Sequence, residues 1–377
     1  MKNIFLIGSC LFLLASCANQ KSLPINPSQE KVLVVIEKVN DYWQQTHPQP
    51  RNAFWDEAAY YTGNIEAYNV TGNPHYKKYA EAWAERNLWM GARTQDKSKW
   101  KYTYGETDDY VLFGDWQIAF QTYIDLYNLD KMKDPAKIAR AKEVMEYQMS
   151  TPNNDYWWWV DGLYMVMPVM TKLYSITNNQ QYLDKLAEYF AYANSIMFDP
   201  EENIYYRDAK YLYPKHKTVN GKKDFWSRGN GWVFAGLAKV LADIPTDSKY
   251  RNEFVSKFQN MAQTIKSLQQ PAGYWTRSLM DPEHAPGPET SGTAFFAYGF
   301  LWGMNNGYLD KAEYEPVATK AWQYLTTVAL QSNGEIGYVQ PIGERAIPGQ
   351  VVDINSTANF GVGAFLLAAC EMYRFIK

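Results

Sequence analysis

YNVTGNPHYKKYAE, residues 68–81, has the pattern of one helix ending, a tight turn and a second helix beginning. A second copy of this pattern, YSITNNQQYLDKLAE, occupies residues 174–188. In both copies a helix ends in Tyr-x-x-Thr, the chain turns through Gly or Asn, and a new helix restarts at a Tyr five residues after the Thr. Such self-similarity indicates helical hairpins that repeat along the chain.

Looser copies of the turn lie at residues 125–146, 242–254 and 303–316, and the remaining segments show helical rather than alternating apolar periodicity. Dividing about 360 mature residues by roughly 55 residues per hairpin gives six hairpins. Six hairpins close into a ring of six inner and six outer helices, so we predict an all-α fold, an (α/α)6 barrel; an open helical solenoid is the alternative. In a closed ring the long loops fall at one end, and the cleft is expected there.

Composition restricts the partners of the chain. The 377 residues carry a formal net charge of −3, with charges of both signs spread along the sequence. Nucleic acid is therefore not expected as a partner, because nucleic-acid binding needs a basic stripe. Aromatic residues make up 16% of the chain, with 14 Trp and 30 Tyr. Their flat apolar faces and polar edges suit sugar rings, although many will be core.

The first residues, MKNIFLIGSCLFLLASCANQ, resemble a bacterial lipoprotein signal. A lysine precedes an apolar stretch, and Leu14-Ala15-Ser16-Cys17 resembles the cleavage box, so residues 1–17 are predicted to be the signal and Cys17 the lipidated residue. A polar, proline-bearing tether, 18–32, would lead to a single catalytic domain, 33–377. We therefore expect an envelope protein attached to the membrane only through a lipid anchor; an ordinary cleaved signal peptide is the alternative.

Neither cysteine nor histidine spacing predicts a metal centre. Cys370 is the cysteine that would remain unmodified in the mature chain. The four histidines, His47, His75, His216 and His284, are scattered without the spacing of a zinc motif. We expect neither a metal nor another cofactor.

Asp161 is the first candidate for chemistry, in NNDYWWWVDGLYMVMP (153–168). Apolar residues after it lie on one helical stripe, which places Asp161 at the start of a buried helix. An Asp in that place commonly caps the helix. The alternative is catalytic, because an acid beside the indoles of Trp157, Trp158 and Trp159 acquires a raised pKa and donates protons at neutral pH. We expect the three indoles to be divided between core and pocket wall.

Asp115 is the second candidate, in KYTYGETDDYVLFGDWQIAFQTY. It opens a helix whose Trp116, Ile118 and Ala119 are core-like, whereas Asp108 and Asp109 have the character of solvated loop acids or caps. Two carboxylates at the entrances of two inner helices match what sugar hydrolysis or hydration needs, since one acid donates a proton while the other group positions water.

DFWSRGNGWVFAGLAKVL is the third stretch, and it places Trp226, Arg228 and Trp232 around a Gly-Asn-Gly turn before a helix. A planar guanidinium flanked by indoles is a good receptor for the carboxylate of a sugar ring. The alternative is structural, with Arg228 pairing an internal acid at the helix start. We predict that these three residues bind ligand.

These stretches together resemble glycoside hydrolase family 105, the unsaturated rhamnogalacturonyl hydrolases, which is related to the unsaturated glucuronyl hydrolases of family 88. The motifs that carry the resemblance, from about residue 35 to the end, are WVDGLYMVMP, GDWQIAFQTYIDLY, FWSRGNGW, ETSGTAFFAYGF and INSTANFGVGAFLLAA. The resemblance implies the six-hairpin barrel, Asp161 as general acid/base, Asp115 as its partner, and Trp226, Arg228 and Trp232 as groups that bind the unsaturated uronyl ring.

The implied reaction removes a 4,5-unsaturated uronic acid from the non-reducing end of oligosaccharides made by lyases, from pectic rhamnogalacturonan or related glycans. In this reaction Arg228 should face the substrate carboxylate and not pair with Asp161, because a close cation lowers the pKa of the acid. The chain departs from the family at Arg207, where some members carry a histidine; Arg207 would add a positive charge for an anionic sugar.

Other functions remain open from the sequence. Another enzyme of the same architecture, a polysaccharide lyase or an inverting glycosidase, would act on saturated glycans. A glycan-binding lipoprotein without catalytic activity would use the aromatic cleft alone.

Overall fold

The structure, a computed structural model, describes residues 27–376. These residues include thirteen α-helices and one small sheet. The helices are α1 (Gln29–Thr46), α2 (Trp55–Thr71), α3 (Pro74–Arg86), α4 (Gly114–Gln117), α5 (Ala119–Leu129), α6 (Ala136–Ser150), α7 (Val160–Thr177), α8 (Gln181–Met197), α9 (Ser227–Asp243), α10 (Arg251–Ser267), α11 (Thr290–Asn305), α12 (Lys311–Tyr324) and α13 (Asn359–Phe375). Strands β1 (Phe198–Asp199) and β2 (Ile204–Tyr205) pair antiparallel.

The helices form two concentric rings. In the inner ring α2, α5, α7, α9, α11 and α13 contact one another in that order, and α13 returns to contact α2. The short helix α4 leads directly into α5 and contacts both α2 and α7. The outer helices α1, α3, α6, α8, α10 and α12 each pack against this ring. The contact between α13 and α2 closes the ring, so the predicted (α/α)6 barrel is confirmed and the open solenoid is wrong.

The apolar pattern assigns each helix to its ring. Helix α10 buries Phe254, Phe258, Met261 and Ile265, which recur at intervals of three or four residues, and it exposes its other face. Helix α11 is buried from Thr290 to Met304, which is the pattern of a helix surrounded by others.

The repeated turns have matching caps in the structure. Helices α2 and α7 each end in a left-handed residue, Gly72 with φ 67° and Asn178 with φ 54°. In both turns the threonine hydroxyl, of Thr71 or Thr177, accepts a hydrogen bond from the backbone amide two residues later. The predicted Tyr-x-x-Thr repeat is therefore a repeat of capping chemistry.

One end of the barrel carries the long connections. The loops that enter the inner helices include 87–113, 198–226, 268–289 and 330–358, whereas the connections at the other end are as short as 72–73. Consequently, the inner helices all present their N-termini, the positive ends of their dipoles, to the loop-rich end. This arrangement favours an anionic ligand at the end where the sequence predicted the cleft.

The N-terminal boundary differs slightly from the prediction. Helix α1 begins at Gln29, and the Ser28 hydroxyl caps it by accepting from the Lys31 amide, so the last part of the predicted tether is helical. The predicted signal, 1–17, and its Cys17 lie outside the described residues. Within residues 27–376, no helix is long and apolar enough to cross a membrane.

Candidate active site

Asp115 and Asp161 occupy similar places at the loop-rich end. Asp115 is the second residue of α4, which leads into inner helix α5, and Asp161 is the second residue of inner helix α7. Both side chains are buried, at 5% and 7% exposure. The indole of Trp159 fills the space between the two helix starts: a Cβ at Gly114 would lie 3.0 Å from this ring, and one at Gly162 would lie 3.2 Å from it. Glycine next to each acid lets one indole pack closely against both helix starts.

Burial decides the electrostatics of the pair. It raises the pKa of Asp115 well above the usual range, and the negative charge of Asp161 raises it further. Burial also raises the pKa of Asp161, while the charges of Arg207 and Arg228 offset part of that rise. Two carboxyl groups that are buried at neighbouring helix starts resist ionisation together. The pair therefore includes a proton donor above the pH at which an ordinary aspartate ionises.

The helix-cap interpretation of Asp161 fails on geometry. The N-cap of α7 is Trp159, which makes no side-chain cap bond, and Asp161 lies two residues further on. Its Oδ2 accepts no hydrogen bond from any side chain or backbone group within residues 27–376. A buried carboxylate oxygen without a donor is costly in a purely structural role.

Arg207, which the sequence offered as a positive charge for an anionic sugar, lies beside the acid. Its Nε is 3.7 Å from Asp161 Oδ2, too long for a hydrogen bond. Its Nη1 donates to Asp208 at 2.5 Å and lies 3.4 Å from Glu344. Because Arg207 is shared among three carboxylates, it lowers the pKa of Asp161 less than a dedicated partner would.

Arg228 is a structural centre of the cleft floor. Its guanidinium is fully buried between the rings of Trp226 and Phe360, at 4.5 and 4.6 Å from their centroids. It donates to the carbonyls of Gln340 and Pro341, and burial lowers its pKa to about 10. Arg228 makes no ion pair with Asp161 among the described residues, although its charge still lowers the pKa of that acid. However, these bonds to backbone carbonyls match neither predicted role of Arg228, which was to bind a ligand carboxylate or to pair with an internal acid.

Trp226 and Trp232 are too deeply buried for the predicted direct contact with a sugar. The Trp226 indole donates to Gln340 Oε1 and is 2% exposed. Trp232 is 0% exposed and packs against Tyr164 and Phe295 inside the barrel. As the structure places them, both stabilise the floor beneath the acids.

The tryptophan run divides between core and wall, as the sequence predicted. Trp157 is buried, at 1% exposure, against Tyr189. Trp158 is half-buried and lies parallel to Phe113, with the Arg207 guanidinium 5.7 Å from its ring centroid. Trp158 is therefore the indole of the run that can present a face to a sugar.

Trp158→Ala should raise KM roughly tenfold and reduce kcat less, because the change removes a binding face and leaves both acids in place. Steady-state kinetics on an unsaturated oligosaccharide measure this. Trp158→Phe is the matched control, since it keeps an aromatic ring and should remain near the wild-type KM. A loss confined to kcat would contradict the wall assignment.

A third inner helix, α2, also begins with acidic residues, which the sequence reasoning missed. Phe54-Trp55-Asp56-Glu57 opens α2 as an aromatic–acid sequence, as Trp159-Val160-Asp161 opens α7. Burial raises the pKa of Asp56, and it raises that of Glu57 to about 7 despite an ion pair with Arg51. The recurrence of an aromatic residue followed by Asp at inner-helix starts was the signal that could have found it.

The opposite end of the barrel shows how paired acids differ. There Lys172 binds Asp125 at 2.6 Å, and Arg374 bonds Glu66 strongly enough to lower its pKa despite burial. Asp115 and Asp161 have no such dedicated cation. Burial raises the pKa of Asp125 despite Lys172, so the two ends of the barrel differ in their dedicated cations and not in burial alone.

Potential metal ligands do not cluster in the described part of the chain. No three His, Cys, Asp or Glu side chains of residues 27–376 come together in a metal-binding arrangement. His216 and His284 lie beside Asp224.

Comparison with known proteins identifies the family of the chain. The family model for Glycosyl Hydrolase Family 88 matches residues 34–376. The chain belongs to glycosyl hydrolase family 88. The predicted relationship to family 105 and its relative family 88 is thereby confirmed, and as a member of family 88 the protein is a glycoside hydrolase.

Three similar proteins are informative. The chain is 33% identical over 385 residues to an unsaturated 3S-rhamnoglycuronyl hydrolase of Formosa agariphila, covering 98% of this chain and 96% of the relative. A solved family 88 structure from Bacteroides vulgatus is 60% identical, with a TM-score of 0.91 over 93% of this chain and all of that one. A structure described as a polysaccharide lyase is 67% identical, with a TM-score of 0.90 over 93% of this chain and 98% of that one.

Proposed function

We propose that this family 88 enzyme removes a 4,5-unsaturated uronic acid from the non-reducing end of lyase-generated oligosaccharides, with Asp161 as general acid/base and Asp115 as its partner. The observation that carries the proposal is the pair of buried acids with raised pKa values at the loop-rich end of the barrel. The Formosa relative, whose name specifies a rhamnoglycuronyl substrate, supports a uronyl unit linked to rhamnose or a related glycan.

The first step suits a buried acid. The unsaturated ring is an enol ether conjugated with a carboxylate, so protonation at C4 by Asp161 places oxocarbenium character at C5. The positive ends of the surrounding inner helices favour the substrate carboxylate at this end. The resulting carboxylate of Asp161 lies near Arg207, which stabilises its new charge.

Water completes the reaction. A water molecule held by Asp115 and Asp161 adds to C5, and its displaced proton returns to Asp161. The product is a hemiketal whose ring opens and releases the neighbouring sugar. The net change is the addition of one water, so Asp161 ends the cycle in its starting protonation state.

The alkaline limb of the pH profile should report this donor. Asp161 donates only when protonated, so kcat/KM falls as pH rises through its pKa. Asp208 both holds Arg207 and raises the pKa of Asp161 by its own charge. Asp208→Asn should therefore move the alkaline limb to lower pH, by about one unit.

Kinetics recorded across the alkaline limb of both proteins measure the shift. The control is Asp184→Asn, which changes an acid on the outer helix α8. A limb that stays in place or moves to higher pH in Asp208→Asn would contradict the assignment of Asp161 as donor.

Ultraviolet absorbance of the conjugated C4=C5 carboxylate tests the reaction class. The proposed enzyme should consume this absorbance in lyase digests of glucuronic-acid-containing and pectic glycans. The digest that is consumed fastest would identify the neighbouring sugar. No loss in any digest would refute the proposed function.

Polysaccharide lysis is the second candidate, because the 67% identical structure is described as a lyase. A lyase would create the absorbance on saturated polymer rather than remove it. The Tyr211 hydroxyl is a candidate base, since it lies by Glu344 next to Arg207. However, burial and Glu344 raise the pKa of Tyr211, which opposes its use as a base. We expect saturated polymer to give no increase in absorbance.

We also propose that Cys17 carries a lipid anchor in the bacterial cell envelope. The support is the sequence of the cleavage box, Leu14-Ala15-Ser16-Cys17, after an apolar stretch. Wild type should incorporate a fatty-acid probe and partition into membranes, whereas Cys17→Ala should do neither. Equal labelling of both proteins would refute the anchor.

A further inference from the structure

A cationic pair lies at the rim of the cleft. Arg207 and Lys210 follow β2, and their side chains converge on one acid, Glu344, from a distant loop. Glu344 Oε2 is 3.4 Å from the Arg207 guanidinium and 3.1 Å from Lys210 Nζ, and its Oε1 accepts from the Tyr211 hydroxyl at 2.5 Å. Two cations and a hydroxyl around one carboxylate form a complete anion receptor.

The loop that supplies Glu344 is fixed at its ends and exposed at its tip. Buried Arg228 holds the carbonyls of Gln340 and Pro341 at one end, and buried Arg277 holds the carbonyl of Gln350 at the other. Between these ends the Glu344 side chain is 45% exposed. Ion pairs at such exposure contribute little to stability, so another anion can replace this carboxylate at small cost.

The receptor is within reach of a substrate bound at Asp161. Arg207 Nε lies 3.7 Å from Asp161 Oδ2, and both atoms lack a hydrogen-bond partner within residues 27–376. The same guanidinium lies over the face of Trp158, which is the wall assigned to a sugar ring. An anionic group held by Arg207 and Lys210 would therefore belong to a sugar that occupies the cleft.

The local charges balance in pairs. Asp208 is 2% exposed and matches Arg207, whereas Glu344 and Lys210 are the exposed members that match each other. A ligand anion that displaces Glu344 would keep this balance. A neutral ligand that displaced it would leave Lys210 with the longer contact to Asp208, at 3.7 Å.

We propose that Arg207, Lys210 and Tyr211 form an anion subsite that Glu344 fills in the free enzyme and that a carboxylate or sulfate ester of the substrate fills in the complex. This inference rests on the proposed function, because it treats the cleft at Asp161 as the substrate site. Glu344 is then a specificity-determining residue, since it competes with anionic substrates for their own receptor.

Glu344→Gln tests the competition. The isosteric amide removes the competing charge, so KM for an anionic substrate should fall about fivefold, with a smaller change in kcat. Lys210→Met should raise that KM by a similar factor. The control is Glu315→Gln, an exposed acid on the outer helix α12 that should leave KM unchanged. A KM that stays constant or rises in Glu344→Gln would overturn the proposal.

Two pairs of substrates identify which anion is bound. One pair compares the free uronyl carboxylate with its methyl ester, and the other compares a neighbouring sugar with and without a sulfate ester. The effect of Glu344→Gln should disappear with the neutral member of one pair, and that pair identifies the source. An effect that persists with both neutral members would overturn the subsite.

Binding of inorganic sulfate separates this inference from the proposed function. Sulfate should raise the Tm of Glu344→Gln more than that of wild type, with sodium chloride at matched ionic strength as the reference. Equal shifts would overturn the subsite even if wild type consumes the unsaturated substrate. If wild type is inactive but sulfate still raises the Tm of Glu344→Gln more than that of wild type, the proposed function is refuted and the anion receptor is retained.

Discussion

Asp161→Asn should reduce kcat at least about a thousandfold, because an amide cannot donate the proton that C4 requires. The amide is nearly isosteric with the carboxyl group and faces Arg207 without an additional bond, so the barrel should remain folded. Loss of the conjugated absorbance in an unsaturated substrate measures the rate. The thermal unfolding midpoint, recorded alongside, should stay within a few degrees of wild type.

Asp108→Asn provides the matched control for this prediction. Asp108 is an exposed acid of the loop before α4 that accepts from the Arg93 amide, so its change removes the same charge outside the cleft. Asp115→Asn should cost less than Asp161→Asn if Asp115 positions water rather than donating the proton. The reverse order would transfer the donor role to Asp115, whose pKa burial raises well above the usual range.

Gly363→Ala should destabilise the protein by about 3 kcal/mol, because it separates the two helices that close the ring. A Cβ at Gly363 would overlap the carbonyl oxygen of Ala59, and one at Gly63 would overlap the carbonyl of Gly363. Both obstacles are backbone atoms of packed helices, so no side chain can move aside. The gain in helix propensity, about 1 kcal/mol, does not offset the clash.

Thermal or denaturant unfolding measures this loss, with Gly343→Ala as control. The nearest atom to a Cβ at Gly343 is the Pro341 carbonyl oxygen, at an ordinary 3.7 Å. The control should therefore unfold close to wild type. A Gly363→Ala protein as stable as the control would show that α2 and α13 do not need this close approach.

The repeat and the apolar periodicity were sufficient to predict the fold. Capping is local chemistry, so the turns after Thr71 and Thr177 could be recognised from a few residues, and they have matching left-handed caps. Counting hairpins then implied a closed ring. The two glycines that permit closure carry no such signal, because Gly63 and Gly363 are 300 positions apart.

The candidate site was predicted in part. Asp115 and Asp161 could be placed at helix entrances because aromatic and apolar residues next to them mark buried helix starts. Their mutual repulsion depends on the packing of α4 against α7, which a linear pattern does not specify. Arg228 resembled a ligand receptor in sequence, yet its partners are carbonyls more than one hundred positions away.

Patterns along the chain were enough to predict the features that depend on neighbouring residues: the hairpins, their caps, the buried inner helices and the acids at their starts. Tertiary structure alone decided which charges meet, because Arg207, Asp161 and Glu344 come from three separate loops and helix ends. Local free energies depend on residues a few positions apart, whereas a Coulomb interaction depends on distance in space and on burial. For that reason the positions of Asp115 and Asp161 at helix starts could be predicted from the sequence, whereas the proximity of Arg207 to Asp161 could not.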